Sequence, residues 1–290
     1  FFMSNNQQGF TLLEWLMSLS IGIVLLNITT KLSINLYKTQ AHVKNILEIH
    51  ENAELAFDTL TRDIRMSGFI GCPHFNDVVI PESPYRLQHR LMGFNAKCCD
   101  PRFRGFVQKA SKNSDVLCLQ YADPHRENVL YAKGNTLKLN QAIDFNAKEI
   151  LLISNCLHAE IVQFACPHIQ HTYQEDATIS RFYRVIYYVA PTRRQNAVKQ
   201  TIYALYRKDL NTPDQPTELV ENVEKLEVYY GIVNGSSLVE HVPAHQVTNW
   251  SEVRSVTPVL HLTSTNAMVQ PSGKAQPMRK KIQQTIMVRA

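Results

Sequence analysis

The chain has 290 residues, of which 44% are hydrophobic and 19% charged, and its formal net charge is +5. This length and composition allow one large domain or two small ones with a hydrophobic core, and they exclude a disordered or low-complexity chain. A charge this small is ordinary for a secreted protein, so it does not by itself indicate nucleic-acid binding.

An apolar run begins near the N-terminus. Residues 10–28 have about the 20-residue length that crosses a bilayer as a helix, and their only charged residue is Glu14. A lone carboxylate in such a segment costs about 2.5–3.5 kcal/mol on insertion scales, so it predicts a functional group with a charged partner. The polar residues 3–9 that precede the run contain no Lys or Arg, unlike an ordinary secretory signal.

The junction of this polar leader with the apolar run reads Gly9-Phe10-Thr-Leu-Leu-Glu14. It resembles the class III leader of type IV pilins and type II secretion pseudopilins. The resemblance implies that prepilin peptidase cleaves between Gly9 and Phe10 and methylates Phe10, so that Glu14 becomes the fifth residue of the mature chain. The alternative is a plain N-terminal anchor in which Glu14 only lies at the membrane interface.

A second helical pattern continues the apolar run. Residues 29–66 contain no Pro or Gly, and Gly68 follows as a helix stop. The apolar positions repeat every three or four residues, at Ile46, Ala53, Phe57, Leu60 and Ile64, with His50 in step. We therefore expect one helix from Phe10 to Met66, about 85 Å long, whose first half projects and whose second half packs on a domain. An independent coiled-coil stalk is the alternative, but the apolar stripe strengthens only in the second half.

The cysteines all follow the membrane segment, which indicates an oxidising compartment. They are Cys72, Cys98, Cys99, Cys118, Cys156 and Cys166. The sequence cannot choose among their pairings. We expect Cys72 to pair with Cys98 or Cys99, and Cys156 with Cys118 or Cys166. A bridge between the adjacent Cys98 and Cys99 is not expected, because it would strain the peptide between them.

The rest of the chain reads as loops and short strands. Residues 69–104 contain several prolines and are predicted to be loop-rich, and residues 268–279 to form a mobile loop before a last strand. Strands are predicted at residues 115–121, 136–139, 149–154, 159–164, 183–189, 201–207, 223–230, 253–264 and 283–288. Many strands after one long helix predict an α+β fold, with an antiparallel β-rich domain packed on the C-terminal half of the helix.

Several later segments narrow the resemblance. Residues 51–72, which include Asp63, Gly68 and Cys72, resemble the helix end of PilW-type minor pilins, and further segments resemble the same family in the same order. These are residues 114–117, 152–156, 160–163, 205–207, 219–224, 230–231 and 250–256. Trp15 departs from the family, which has a small aliphatic residue there, and the chain ends in Val-Arg-Ala where the family commonly ends in Arg-Asn.

The resemblance implies a pilin-like organisation. Residues 1–9 would be the leader, 10–28 the transmembrane and assembly segment, 29–68 the amphipathic helix, and 69–290 a periplasmic β-rich domain. The N-terminus would be cytoplasmic, and the subunit would pass from the inner membrane to the tip of an extracellular pilus. Its partners would be prepilin peptidase, inner-membrane lipid, other minor pilins, the major pilin and a tip adhesin.

The function predicted is that of a non-enzymatic minor pilin with no catalytic residues and no cofactor. A type II secretion pseudopilin is the nearer alternative. A DNA-binding pilus subunit is more distant, and its candidate basic residues are Arg193, Arg194, Lys199, Arg279, Lys280 and Lys281. Cys166, His168 and His171 could be interpreted with Cys72 and His74 as a zinc site, but their spacing fits no established pattern, so no metal is predicted.

Overall fold

The computed structural model describes residues 12–72, 78–79, 89–98, 110–141, 145–196, 198–233, 239–269 and 275–288. The chain divides into two compact units, one that ends at Glu48 and one that begins at Ile49. The predicted cleavage site at Gly9 and Phe10 lies outside the described residues, as do Cys99 and His74.

One helix, α1, spans Leu12–Met66 and confirms the prediction of a single long helix. It ends where the sequence indicates, because Gly68 adopts a left-handed conformation with φ of 80°. The Gly68 N–H donates to the Gln120 carbonyl at 2.9 Å. A side chain at this position would place its Cβ 2.7 Å from Cδ of Arg90, so glycine is required for space as well as for conformation.

Among the described residues, eleven strands form the first sheet. They are β1 (Val78–Val79), β2 (Leu91–Asn95), β3 (Asp115–Ala122), β4 (Glu127–Gly134), β5 (Thr136–Leu139), β6 (Ile150–Ser154), β7 (Ala159–Gln163), β8 (Ile169–Tyr173), β9 (Thr178–Gln195), β10 (Thr201–Asp209) and β11 (Thr217–Glu221). The main order is β1-β7-β6-β9-β10-β11, and β3 and β4 also pair with the long strand β9. Every described ladder is antiparallel except the short β1–β7 pair.

In the described part of the chain, five strands form the second sheet, in the order β13-β12-β14-β15 with β16 also paired to β14. They are β12 (Val223–Val233), β13 (Val239–Pro243), β14 (Val253–Val269), β15 (Ala275–Gln283) and β16 (Ile286–Met287). All of these ladders are antiparallel. The α+β prediction with an antiparallel β-rich domain is therefore confirmed.

The main core joins the second half of α1 to both sheets. The predicted stripe residues Ala53, Phe57, Leu60 and Ile64 are buried, together with Ile49 and Ala56. They share one cluster with residues of both sheets, among them Leu119 of β3 and Leu260 of β14. Periodic apolar residues thus predicted the buried face of the helix, because a stripe at 3–4 spacing has to be covered.

Two side chains at the start of β3 bind backbone N–H groups of β12, in the part of β12 that precedes its pairing with β13. Ser114 Oγ accepts a hydrogen bond from the Leu226 N–H at 2.9 Å, and Asp115 Oδ2 accepts one from the Val228 N–H at 3.0 Å. Buried backbone donors need such partners. These two bonds therefore connect the sheets through polar contacts as well as through the core.

The predictions for two segments were partly wrong. Residues 69–104 were predicted as loop but contain β2, and residues 268–279 were predicted as a mobile loop but include the end of β14 and the start of β15. The last strand, predicted at residues 283–288, forms there only as the short β16. Pro277 lies in β15, and this strand pairs only with β14 among the described strands. A proline is tolerated in a strand at the edge of a sheet, so its presence did not exclude one.

Candidate functional site

The first half of α1 is an apolar segment that the rest of the described chain leaves uncovered. It is long and apolar enough to cross a membrane, and none of its most apolar 18-residue window is buried. Leu13 and Trp15, on either side of Glu14, are 64% and 68% exposed. An uncovered apolar surface of this extent needs lipid or other apolar helices around it.

Most polar groups in this segment are satisfied by the helix itself. Ser20 donates to the Met17 carbonyl at 2.8 Å, and Thr30 donates to the Leu26 carbonyl at 2.7 Å. Such bonds let hydroxyl groups enter a membrane at little cost.

Glu14 is chemically different from these hydroxyl groups. It lies exposed in the first turn of α1, where the helix dipole favours an acidic side chain. An ionised carboxylate only accepts hydrogen bonds, so carbonyl groups of the helix cannot satisfy it. A donor, and preferably a cation, is the partner that suits Glu14 in an apolar environment.

At the other end of α1, the buried carboxylate of Asp63 holds the helix to the first sheet. Asp63 Oδ2 accepts hydrogen bonds from the Tyr187 hydroxyl of β9 at 2.5 Å and from Arg207 Nε of β10 at 2.8 Å. The Arg207 guanidinium also donates to the Tyr121 hydroxyl of β3 at 3.1 Å. One carboxylate on the last turn of α1 is therefore linked to three strands.

The electrostatics of this cluster favour its charged form. Desolvation alone would lower the pKa of Arg207, but Asp63 and the hydroxyls of Tyr187 and Tyr121 outweigh it, and the pKa is raised. Burial, and then the Asp63 carboxylate, raise the pKa of Tyr187 well above its ordinary value. Tyr187 therefore remains a hydrogen-bond donor and Arg207 remains charged.

Sequence reasoning did not assign a role to Asp63. The signal was present, because helical spacing places Asp63 on the same face as Leu60 and Ile64 of the buried stripe. A carboxylate on a buried face predicts a cationic or donor partner. Only the folded sheet shows that this partner is Arg207, which is 144 positions away.

The disulfide prediction was wrong in its pairing. Cys72 is bonded to Cys156, and the two Cα atoms are 4.7 Å apart. The reason is the path of the chain after α1, since Gly71 passes so close to β6 that a Cβ there would lie 2.7 Å from Oγ of Ser154. This path brings Cys72 to the turn that follows β6, where Cys156 lies.

The other cysteines have different environments. Cys118 is a buried thiol on β3, and Cys166 is an exposed thiol. The side chain of Cys98 and the whole of Cys99 lie outside the described part of the chain. Cys156 was predicted to pair with Cys118 or Cys166, and it pairs with neither.

The basic residues considered for DNA binding are partly neutralised. Arg194 forms ion pairs with Glu218 and Glu221 across β9 and β11. Arg279 donates to both carboxylate oxygens of Glu224. These pairs reduce the positive charge that either cluster could offer to phosphates.

The histidines considered for zinc have other contacts. The ring of His171 stacks on that of His158 with centroids 4.1 Å apart, and Nδ1 of His171 lies 2.6 Å from the buried carboxylate of Glu160. Within the described residues, no group of three or more His, Cys, Asp or Glu side chains is arranged to hold a metal ion. The Glu160 cluster was not predicted, and it binds β7 to β8 through the backbone N–H groups of Gln170 and His171.

Two family models match the chain at its opposite ends. Residues 4–26, which contain Gly9, Phe10 and Glu14, match the prokaryotic N-terminal methylation motif. Residues 186–285, which run from β9 beyond the end of β15, match the model described as Type IV Pilus-assembly protein W. The predicted resemblance to PilW-type minor pilins is confirmed.

The PilW match covers Tyr187 and Arg207, the two residues that bind Asp63 of α1. The first match describes N-terminal methylation and the second pilus assembly, and neither describes an enzyme. The methylation motif and the apolar helix together support membrane anchoring. No match was found among curated proteins or among solved structures.

Proposed function

We propose that this PilW-type chain is a minor pilin that helps to initiate a type IV pilus and stays at its tip. Prepilin peptidase would process it, and α1 would hold it in the inner membrane before assembly. The observation that carries the proposal is an uncovered apolar helix that begins inside a methylation motif. The same chain continues into a C-terminal unit, residues 49–290, which we call the head and which contains the PilW match. Partner helices can cover such a segment only in an assembly.

The proposed mechanism places Glu14 opposite a cation of the neighbouring subunit. Cleavage after Gly9 would create a charged amine at Phe10, and methylation of that amine would keep its charge. A carboxylate buried among apolar helices is costly unless it is paired with such a group. The pair would therefore fix the axial position at which each subunit enters the complex.

The size of the head supports a minor rather than a major pilin. The head, residues 49–290, has two sheets, with 11 and 5 strands in the part that the structure describes. A fibre of many identical subunits needs a compact repeating surface, and a head of this size would crowd it. The subunit is accordingly used once or a few times, with other minor pilins, the major pilin and a tip adhesin as its partners.

The test of this function is Glu14→Ala in the full-length chain. We expect normal cleavage, measured by the mass of the mature N-terminal peptide, but clearly reduced copurification with the partner pilins and reduced piliation. Ser18→Ala is the matched control, because Ser18 lies one turn further along the same apolar segment. Normal copurification and normal piliation with Glu14→Ala would remove the pairing mechanism.

A type II secretion pseudopilin is a second candidate. It is retained because an apolar helix with a carboxylate near its start would suit assembly of a secretion pseudopilus as well as assembly of a pilus. The two functions differ in the partners that the full-length chain retains after mild detergent extraction. Copurification with pilus minor pilins would support the proposal, whereas copurification with secretion pseudopilins would replace it.

A further inference from the structure

A groove of about 410 Å³ runs along the second half of α1 beside β15. Its floor is apolar, with Ala53 and Phe57 of α1 and Ile282 of β15. Two carboxylates of α1, those of Glu54 and Asp58, line its rim. All of these residues belong to the second compact unit, so the groove is a feature of the head itself.

The rim belongs to a stripe of acidic residues. Glu51, Glu54 and Asp58 are exposed and lie three and four positions apart, so they follow one another along about 10 Å of the helix. None of the three forms an ion pair or a hydrogen bond through its carboxylate with any residue that the structure describes. Like charges at this spacing repel one another weakly, so a cation that joined Glu51 and Glu54 would be favourable.

Acidic residues elsewhere in the head are different, because many of them already have a cationic partner. Salt bridges of the two sheets join Glu149 to Arg181, Glu218 to Arg194, Glu224 to Arg279, and Glu227 to Lys225. The chain as a whole carries a net positive charge of +5. The stripe beside the groove is therefore a local negative surface on a basic protein.

One further feature indicates that the groove is an incomplete interface. The hydroxyl oxygen of Thr61, which also lines the groove, is buried and has no hydrogen-bond partner within the described chain. Gln284, which lines the groove as well, is exposed. A partner that covered this surface would supply a polar group to Thr61.

We propose that this groove binds a basic, partly apolar segment of another pilin subunit, an inference that rests on the proposed function. Lys or Arg side chains of the partner pair with Glu54 and Asp58, and an apolar side chain packs on Phe57 and Ile282. At one end of the groove, Nζ of Lys280 lies 2.7 Å from Nε2 of His50. Because Lys280 would repel another cation there, the partner's cations contact the other end, near Asp58. Nucleic acid does not suit the site, because its phosphates would face these carboxylates.

The test is charge reversal in the full-length chain, coexpressed with the partner pilins. We expect Glu54→Lys with Asp58→Lys to reduce the copurified partner by about tenfold, since lost charge complementarity of this kind weakens binding. Glu175→Lys is the matched control, because Glu175 is exposed on a distant turn of the head. Circular dichroism and the unfolding midpoint should be unchanged in both variants, which shows that they fold.

A second arm identifies the occupant. A photo-cross-linking amino acid at position 284, which is exposed and lines the groove, should form an adduct with another pilin subunit, and the same amino acid at position 175 should not. An adduct with a second copy of this chain, or no adduct at position 284, would overturn the inference. The inference also fails if charge reversal leaves copurification at the wild-type level.

The outcomes distinguish this inference from the function on which it rests. If the wild-type chain copurifies with pilins and the reversed variant does so equally well, only the groove proposal is wrong. If the wild-type chain copurifies with no pilin at all, the proposed function and the groove proposal are both wrong.

Discussion

Asp63 shows how a single residue can connect two parts of this fold. Its side chain is 1% exposed, and the side chain of its partner Arg207 is 23% exposed. Burying one member of such a pair without the other is much more costly than burying both. The last turn of α1 is therefore held at one position on the sheet by polar contacts as well as by the apolar core.

The first prediction concerns this contact. Asp63→Ala should lower the free energy of unfolding by about 3 kcal/mol, because Arg207 and the Tyr187 hydroxyl lose their acceptor inside the protein. The measurement is urea unfolding of the detergent-solubilised chain, followed by circular dichroism.

Arg62→Ala is the control for Asp63→Ala. Nε of Arg62 lies 3.4 Å from Oδ1 of Asp63, but the Arg62 side chain is 68% exposed. An exposed ion pair contributes about 0–1 kcal/mol, so this variant should unfold close to the wild-type midpoint. An equal decrease in the free energy of unfolding in the two variants would show that the buried Asp63–Arg207 pair contributes no more than the exposed Arg62–Asp63 pair.

At the scale of the elements, a disulfide connects the segment that follows α1 to the turn that follows β6. The Cys72–Cys156 bond closes 84 positions of the chain between them. In the chain-entropy account, a disulfide stabilises a fold by restricting the unfolded chain, and the effect grows slowly with loop length. This bond therefore stabilises the start of the head just beyond the helix end.

The second prediction is that Cys72→Ser with Cys156→Ser lowers the free energy of unfolding by about 4 kcal/mol under non-reducing conditions. Cys166→Ser is the control, because this thiol is exposed and outside the bond, and it should have no measurable effect. Reductant should destabilise the wild-type chain and leave the double variant unchanged. Non-reducing peptide mapping that joined Cys72 to Cys98 or Cys99 would contradict the assignment.

The strands differ in how well the sequence predicts them. The prediction for β3 is accurate to one residue and that for β5 is exact, because turn residues bound both and β3 is also strongly apolar. Strands β4, β8, β11 and β13 were not predicted, and each of them presents several exposed polar side chains. Their pairing with neighbouring strands comes from distant parts of the chain, which local patterns do not report.

At the scale of the whole molecule, the two family matches lie near opposite ends of the chain, at residues 4–26 and 186–285. The methylation motif lies on the segment that needs a membrane or partner helices, and the PilW match lies on strands of the head. The helix α1 begins inside the methylation motif and contributes to both compact units, since it crosses the boundary at Glu48. Processing at one end can therefore be separated experimentally from folding at the other.

The third prediction uses this separation. Replacing Gly9 by leucine should block cleavage, because a bulky residue replaces the small residue before the cut, while the head keeps its disulfide and its unfolding midpoint. The measurement is the mass of the chain from membranes that contain prepilin peptidase, with Ser4→Ala as the control. A mature N-terminus at Phe10 in the Gly9→Leu variant would contradict the leader assignment.

The sequence by itself determined the long helix, its end at Gly68, the apolar segment with Glu14, and the class of fold. These features depend on spacing along one stretch of chain, where each residue constrains only its near neighbours. The tertiary structure alone decided the Cys72–Cys156 bond, the Arg207 partner of Asp63 and the groove beside β15. Each of these joins residues far apart in sequence, so it exists only once sheet pairing has fixed the path of the chain.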